Sequence, residues 1–396
     1  MPIPTPFHER TAPLCQSMRW KDWSGYYGVC AYSTYAEREY FAIRHSAGLM
    51  DVSPLFKYEV TGPDAAAFLA RVMVNDIPRM KVGSVSYTCW TDDEGKLLDD
   101  GTIARLDEQH FRVTAAEPSL HWFHRHQGGL DVVIEDSTAR IGALSLQGPQ
   151  ARQILRHVTD TDMDDLGFFR LARGRFDGFE ATITRTGYTG DLGYEIWVAS
   201  DDAIPLWDVL MDAGPSFGMI PNGLDALDMT RVEAGFIMNG VDYSSANHCL
   251  IESRKSTPYE AGLGWTVHLQ REPFIGQTQL RRENDQGPER CFVGLEIDWD
   301  EMEALFAAVG LPPELPGAAW RNPVPIYSHG GTQIGYATSG SWSPMLKKTL
   351  ALGTVAASHG RIGEQLRIEM TVEHVRHQVK ATVLDRPFFD PDRKRS

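Results

Sequence analysis

The chain has 396 residues, 42% hydrophobic and 23% charged, with a formal net charge of −15. This is ordinary globular composition in a length that fills two or three cores, and the acidic balance speaks against a nucleic-acid partner. No run of eighteen apolar residues and no basic stretch leading into an apolar core is found, so neither a membrane span nor a secretory signal is expected.

Residues 1–50 read as irregular and aromatic-rich, apart from a helix predicted over Thr34 to Ala47 that stops near Gly48. Phe56 to Val60 has a strand pattern. Thr61-Gly62-Pro63-Asp64 then turns into a helix, with Pro63 placed early where its missing N–H costs little. Val85 to Trp90, Leu97 to Leu106 and His110 to Ala115 read as antiparallel strands, the first two joined by the turn Asp92-Asp93-Glu94-Gly95. A helix is expected from Ser119 to Gln127, strands at Asp131 to Glu135 and Ile141 to Gln147, and a helix from Pro149 to Val158. Strands at Glu180 to Arg185 and Glu195 to Ala199 precede helices at Ala203 to Asp212 and Gly223 to Ala234. Hairpins mixed with helices indicate α+β rather than a doubly wound parallel sheet. From Arg290 onward, strand patterns separated by glycine-rich turns predict an all-β module, with a boundary in the polar stretch Arg281 to Pro288.

Five scattered cysteines with no C-x-x-C give no disulfide framework or structural zinc site, and fit a reducing cytoplasm. His121, His124 and His126 do not fall on one helix face, so no metal is expected. Gly187 to Gly193 lacks the Gly-Lys-Ser/Thr of a nucleotide P-loop. The informative pattern is a pair of carboxylate-bearing segments, each at the edge of an apolar strand. One is Gly95-Lys96-Leu97-Leu98-Asp99-Asp100-Gly101-Thr102-Ile103. The other runs from Arg185 through Thr186-Gly187-Tyr188-Thr189-Gly190 to Gly193-Tyr194-Glu195-Ile196.

Further strings fall in order around these two: Gly48-Leu49-Met50-Asp51-Val52-Ser53, Leu146-Gln147-Gly148-Pro149, Gly223 to Gly235 with its Arg231-Val232-Glu233-Ala234, Thr338-Ser339-Gly340-Ser341-Trp342-Ser343-Pro344, and Arg386-Pro387-Phe388-Phe389. Over nearly its whole length the chain resembles the aminomethyltransferase family, the T protein of the glycine cleavage system and its relatives. The resemblance implies a three-domain cloverleaf around a central channel for tetrahydrofolate: two α+β domains and a C-terminal β-barrel or jelly-roll-like domain. The expected folate-binding region is 1–285, with 1–52 and 138–285 as the first domain and 53–137 as an inserted second domain. Residues 286–396 form the expected barrel.

The resemblance also assigns roles. Glu195 matches the residue that accepts the adjacent 2-amino and N3–H donors of the pterin, a task suited to one carboxylate. Asp100 matches the catalytic aspartate, able to orient a folate amine and stabilise positive charge during transfer. Consecutive strand residues point to opposite faces, so Asp99 is expected to be structural. Tyr188, in glycines that permit close backbone approach, Tyr87, Arg231 and Arg395 are the other folate-contacting candidates.

Departures from the family pattern fall on the substrate side. Leu227 replaces an arginine, Thr114 replaces an asparagine, the opening motif is blurred, and extra sequence runs from Ser244 to Ser256. An acidic chain would repel the typically acidic lipoyl H protein. The leading expectation is therefore a cytoplasmic demethylase that moves a methyl group from a small O-, N- or S-methylated compound to tetrahydrofolate. Trp20, Trp23 and Tyr26, with Thr114, are its expected substrate contacts, through cation–π or stacking. The alternatives are an aminomethyltransferase served by H protein, or a non-catalytic folate-binding accessory protein.

Overall fold

The computed structural model describes residues 1–396, and three sheets organise it. The first has six strands in the spatial order Leu171–Phe176, Phe179–Thr184, Gly193–Ala199, Ile141–Gln147, Ala47–Asp51 and Met219–Pro221. Its central strand Ile141–Gln147 is apolar without alternation because both faces are covered. Leu144, Leu146 and Ile196 share a core with Trp207 and Leu210 of the helix Ala203–Ala213. Ala143 and Trp197 pack on the other side against Leu224 and Leu227 of the helix Leu224–Glu233.

The second sheet runs Val85–Thr91, Leu97–Asp107, His110–Ala115, Phe56–Thr61 and Val133–Asp136. Phe68 and Leu69 of the helix Ala65–Val72 and Phe123 of the helix Leu120–Gln127 join Trp90, Phe111 and Val113 on one face. The opposite face carries Thr102, Ala104, Arg112 and Thr114 and looks toward the first sheet. The third sheet is a closed barrel ordered Arg290–Ile297, Lys348–Ala356, Gln333–Ser343, Val324–Tyr327, Gln365–Val372 and Val375–Leu384. Closure removes every open edge, and Leu295, Ile326, Ile368 and Val379 fill the interior.

One expectation about local structure is corrected. The first fifty residues are not mainly irregular: they contain the helix His8–Leu14, the hairpin Arg19–Trp23 with Tyr26–Ala31, and the strand Ala47–Asp51. The hairpin turns on Ser24 and Gly25, at φ +51° and +84°, the two consecutive left-handed residues that a tight two-residue loop requires. The polar run Arg281 to Pro288 carries a helical segment that its pattern does not show: Arg281 to Gln286 close the helix Gln277–Gln286, just ahead of the barrel strand Arg290–Ile297. Only Gln277 and Leu280 of that helix are buried, too few to leave a readable apolar stripe. No helix is long and apolar enough to cross a membrane.

The helix Leu224–Glu233, buried except at Asp225, is where the lobes meet. Glu233 accepts from Tyr40 Oη (2.5 Å), Arg44 Nη2 (2.5 Å) and the barrel's Ser343 Oγ (2.5 Å). Its carbonyl accepts the backbone N–H groups of Phe388 (2.9 Å) and Phe389 (3.0 Å). Asp228 takes Arg231 Nε at 2.7 Å on one oxygen and Arg321 Nε at 2.6 Å on the other. Buried carboxylates satisfied this fully act as fixed junctions.

Candidate functional site

The two adjacent aspartates have different surroundings. Asp99 is 1% exposed and both of its oxygens are occupied. Oδ1 accepts from Asp100 N (2.9 Å) and Asn239 Nδ2 (2.8 Å), and Oδ2 from the N–H groups of Ala116 and Glu117 (2.9 Å each). Asp100 is only half-buried. Its Oδ2 accepts from Tyr87 Oη (2.6 Å) and its Oδ1 from Tyr243 Oη (2.5 Å). Burial pushes the Asp100 carboxyl above the usual carboxylate range, the two phenols pull it back, and Asp242 opposes them. Tyr87 stacks on Trp265 at 5.9 Å, and that indole is 66% exposed at the protein surface.

Glu195 stands on the strand Gly193–Ala199, opposite Thr184 and Ser145. It is half-buried; Oε2 accepts from Thr186 Oγ1 at 2.6 Å, and Oε1 has no hydrogen-bond partner. Burial raises this carboxyl, while Thr186 and Thr184 lower it. With Thr182, Thr184 and Trp197 it forms one wall of a narrow, partly open cleft. Thr102, Ala104, Arg112 and Thr114 of the second sheet form the facing wall. Strand alternation puts Asp100 on the same face as Thr102 and Ala104. The two carboxylates singled out from the sequence thus come from different sheets: Glu195 lines the cleft, and Asp100 lies on the cleft-facing side of its strand beyond Thr102. The Tyr188 ring stacks on Phe236 at 5.6 Å and its hydroxyl donates to the Ile237 carbonyl. Burial drives its phenol up, with Asp100 and Asp242 adding to the rise against Arg231.

A glycine-lined loop, a barrel closing on a two-sheet body and a shared cleft are features that known proteins combine. The family model for the GCVT N-terminal domain matches residues 7–271, and that for the glycine cleavage T-protein C-terminal barrel domain matches residues 307–390. The chain belongs to the glycine cleavage T-protein family. Membership places it among one-carbon transferases. The aminomethyltransferase of Halothermothrix orenii is 34% identical, over 83% of this chain and 86% of that protein. The trimethylamine-oxide aldolase of Ruegeria pomeroyi is 32% identical over 99% of this chain but only 47% of its own length, so the chain spans about half of that relative. The solved aminomethyltransferase T from the glycine cleavage system of Bartonella henselae shares the fold. Its TM-score is 0.83 at 24% identity, covering 98% of this chain and 99% of that one.

Some T-protein motif residues serve differently from expectation. The glycines around Tyr188 make room for protein: a Cβ on Gly187 or Gly193 would come within 2.1 or 2.0 Å of Gln147 Oε1. Arg231 does not face the cleft. It is fully enclosed and ion-paired with Asp228 (2.7 Å) and Asp242 (2.6 Å), the arrangement that fixes the loop Phe236–Tyr243. Arg395 pairs with Asp390 at 2.8 Å and stays half-exposed. Lys394 is the tail cation pressed on the Phe236 ring, at 5.3 Å.

The N-terminal aromatics do not form one cage. Trp20 and Trp23, three apart on a strand, point to opposite faces. Trp20 packs on His8 (5.3 Å) and Tyr27 (6.2 Å). Trp23 packs against the cluster of Met50, Leu224 and Leu227 that Tyr188 also borders. Tyr26 lies opposite Trp23 in the hairpin, with Asp136 nearby. Thr114 lines the cleft, but its hydroxyl is engaged with Thr102 N (2.9 Å) and Oγ1 (2.8 Å) rather than with Asp100. The residues that sequence reasoning missed are Tyr243, Asn239, Thr186 and Trp265. Asn239-Gly240-Val241-Asp242-Tyr243 directly follows the Arg231 helix, and that adjacency was its only signal.

Proposed function

We propose that this chain transfers a methyl group from a small O-, N- or S-methylated compound to tetrahydrofolate. The observation that carries the reading is the placement of two carboxylates on facing sheets: Glu195, with its free Oε1, lines the inter-sheet cleft, and Asp100, held by two phenols, lies on the cleft-facing side of its strand beyond Thr102. The residues fit a reduced pterin: Glu195 offers an open acceptor to its paired N–H donors, and Tyr188 and Phe236 supply an aromatic edge. When bound, tetrahydrofolate supplies the amine that takes up the one-carbon unit. Asp100 orients that amine and stabilises positive charge developing beside it. On this reading residues 1–285 form the folate-binding region, built from 1–52 with 138–285 and the inserted 53–137, and 286–396 form the barrel.

The N-methylated compound in the name of the Ruegeria pomeroyi relative supports a small methylated donor. The aminomethyltransferase relatives support the second reading, transfer from the lipoyl arm of H protein. Purified protein is incubated with tetrahydrofolate and, separately, methyl ethers, betaines, sulfonium compounds, trimethylamine N-oxide and aminomethyl-lipoyl H protein. Formation of 5-methyltetrahydrofolate from a small donor is expected. Ammonia and methylenetetrahydrofolate from H protein alone would transfer the assignment to the second reading.

A further inference from the structure

Asp100 meets more than the residues of its own sheet. The phenol on its Oδ1 belongs to Tyr243, at the end of a tight turn. Met238 N donates to Asp242 Oδ2 (2.9 Å), and Gly240 N to the Tyr243 carbonyl (2.8 Å). Asp242, the residue before Tyr243, is 6% exposed and wholly committed. Arg231 Nη1 holds its Oδ2 at 2.6 Å. Two barrel hydroxyls hold its Oδ1, Thr338 Oγ1 at 2.6 Å and Ser339 Oγ at 2.7 Å. These hydroxyls sit where the strand Gln333–Ser343 slips register against its neighbour, between Ala337 and Ser339. An irregularity of this kind re-aims side chains. It lets two adjacent residues, which would otherwise point to opposite faces, reach one carboxylate.

We propose that the C-terminal barrel positions the Asp100 carboxylate: Thr338 and Ser339 fix Asp242, Asp242 fixes the turn that carries Tyr243, and Tyr243 holds Asp100. Tyr243 is thus a positioning residue, and the barrel is part of the site's construction as well as a cover. The charged and titratable groups around Asp100 are few. Asp99 adjoins it on its own strand, Tyr87 and Cys89 come from the neighbouring strand, Tyr188 from the glycine-rich loop, and Asp242 and Tyr243 from the turn. Of these, only Tyr243 has both a direct bond to Asp100 and a covalent tie to a residue that the barrel holds.

The significance of this link for catalysis rests on the role proposed for Asp100, but its test does not. Aspartate carboxyls are labelled with carbon-13 in the full-length protein, and the Asp100 signal is assigned by its loss in Asp100→Asn. Its titration is then followed by NMR without folate or donor. Tyr243→Phe removes one charge-assisted hydrogen bond and is expected to raise the midpoint by about one pH unit. Thr338→Val with Ser339→Ala is expected to raise it by a smaller amount, and Thr338→Ser with native Ser339 to leave it in place. Added to Tyr243→Phe, the barrel changes should move it no further, because their route has been cut. An unmoved midpoint in Tyr243→Phe, or in the barrel variant, overturns the proposal. So does a barrel effect of the same size with and without the Tyr243 hydroxyl, which would mean that Asp242 acts on Asp100 by charge alone. If the barrel pair fails to fold, Ser339→Ala alone is read by the same criteria. Failure of every methyl donor would remove the function proposed above and leave these midpoints unchanged.

Discussion

Replacing Asp99 or Asp100 by asparagine removes one charge and no volume in either case, yet the surroundings demand opposite outcomes. Asp99 accepts four N–H donors, two on each oxygen. An amide has one oxygen, so its NH2 must confront two of those four donors. Each buried donor left without an acceptor costs about 1–3 kcal/mol, so Asp99→Asn should lose about 3–5 kcal/mol. That is a large share of the roughly 5–15 kcal/mol by which domains are stable. Asp100 accepts only from two phenols, whose hydroxyls can turn. In Asp100→Asn one phenol still donates to the amide oxygen while the other accepts from the NH2, at a cost of about 1 kcal/mol. Urea denaturation followed by tryptophan fluorescence reads the difference. Asp100→Asn should remain near wild-type stability, retain tetrahydrofolate and lose turnover. Equal losses of stability in the two variants would refute the division of roles. Loss of folate affinity in Asp100→Asn would make that residue a binding group.

Glu195→Gln should weaken tetrahydrofolate binding by about thirtyfold, or about 2 kcal/mol, because an NH2 then faces the pterin donors; calorimetric titration checks it. In the wild type that affinity belongs to the ionised carboxylate. Burial raises its pKa, so affinity should begin to fall, as pH is lowered, at a higher pH than for an ordinary glutamate. Lys57 is fully buried, donates to the Ser53 (2.6 Å) and Leu55 (2.7 Å) carbonyls, and is pushed down to about 7 by burial. An unfolded lysine keeps its proton to about pH 10, so above pH 7 the unfolded state binds more protons and this residue makes stability rise with pH. Urea midpoints at pH 6 and pH 9 should show this contribution, about 2–3 kcal/mol, and Lys57→Met should remove it. Gly101→Ala would place a Cβ 1.9 Å from the Thr114 carbonyl oxygen. Backbone on both sides cannot yield cheaply, so a loss of about 3 kcal/mol in the same denaturation assay is expected.

Strands with a single covered face were legible in the sequence because side-chain alternation is a local signal. His110–Ala115 falls where that pattern puts it, and Ile141–Gln147, covered on both faces, is legible instead as a continuous apolar run. The hairpin Arg19–Ala31 was hidden because its strands are short and aromatic on both faces, and the helix Gln277–Gln286 because it buries almost nothing. The same distinction holds at the site. Asp100 and Glu195 stand in motifs that local sequence displays. Tyr243, 143 residues from Asp100, has no local pattern connecting the two. For Arg231 the motif left a folate contact and a structural ion pair both open, because a residue's place in a motif does not say which way its side chain points. The enclosing partner Asp242 lies in the loop beyond its helix.

The sequence by itself determined the family, the α+β body with its C-terminal barrel, and the choice of two candidate carboxylates, since each is written in ordered short motifs and in local periodicity. The tertiary structure alone decided how each carboxylate is partnered, which arginine is enclosed and which distant phenol bonds Asp100. Those outcomes depend on hydrogen-bond partners drawn from separate sheets and from the barrel. A donor and its acceptor become neighbours only when the lobes close on the helix Leu224–Glu233.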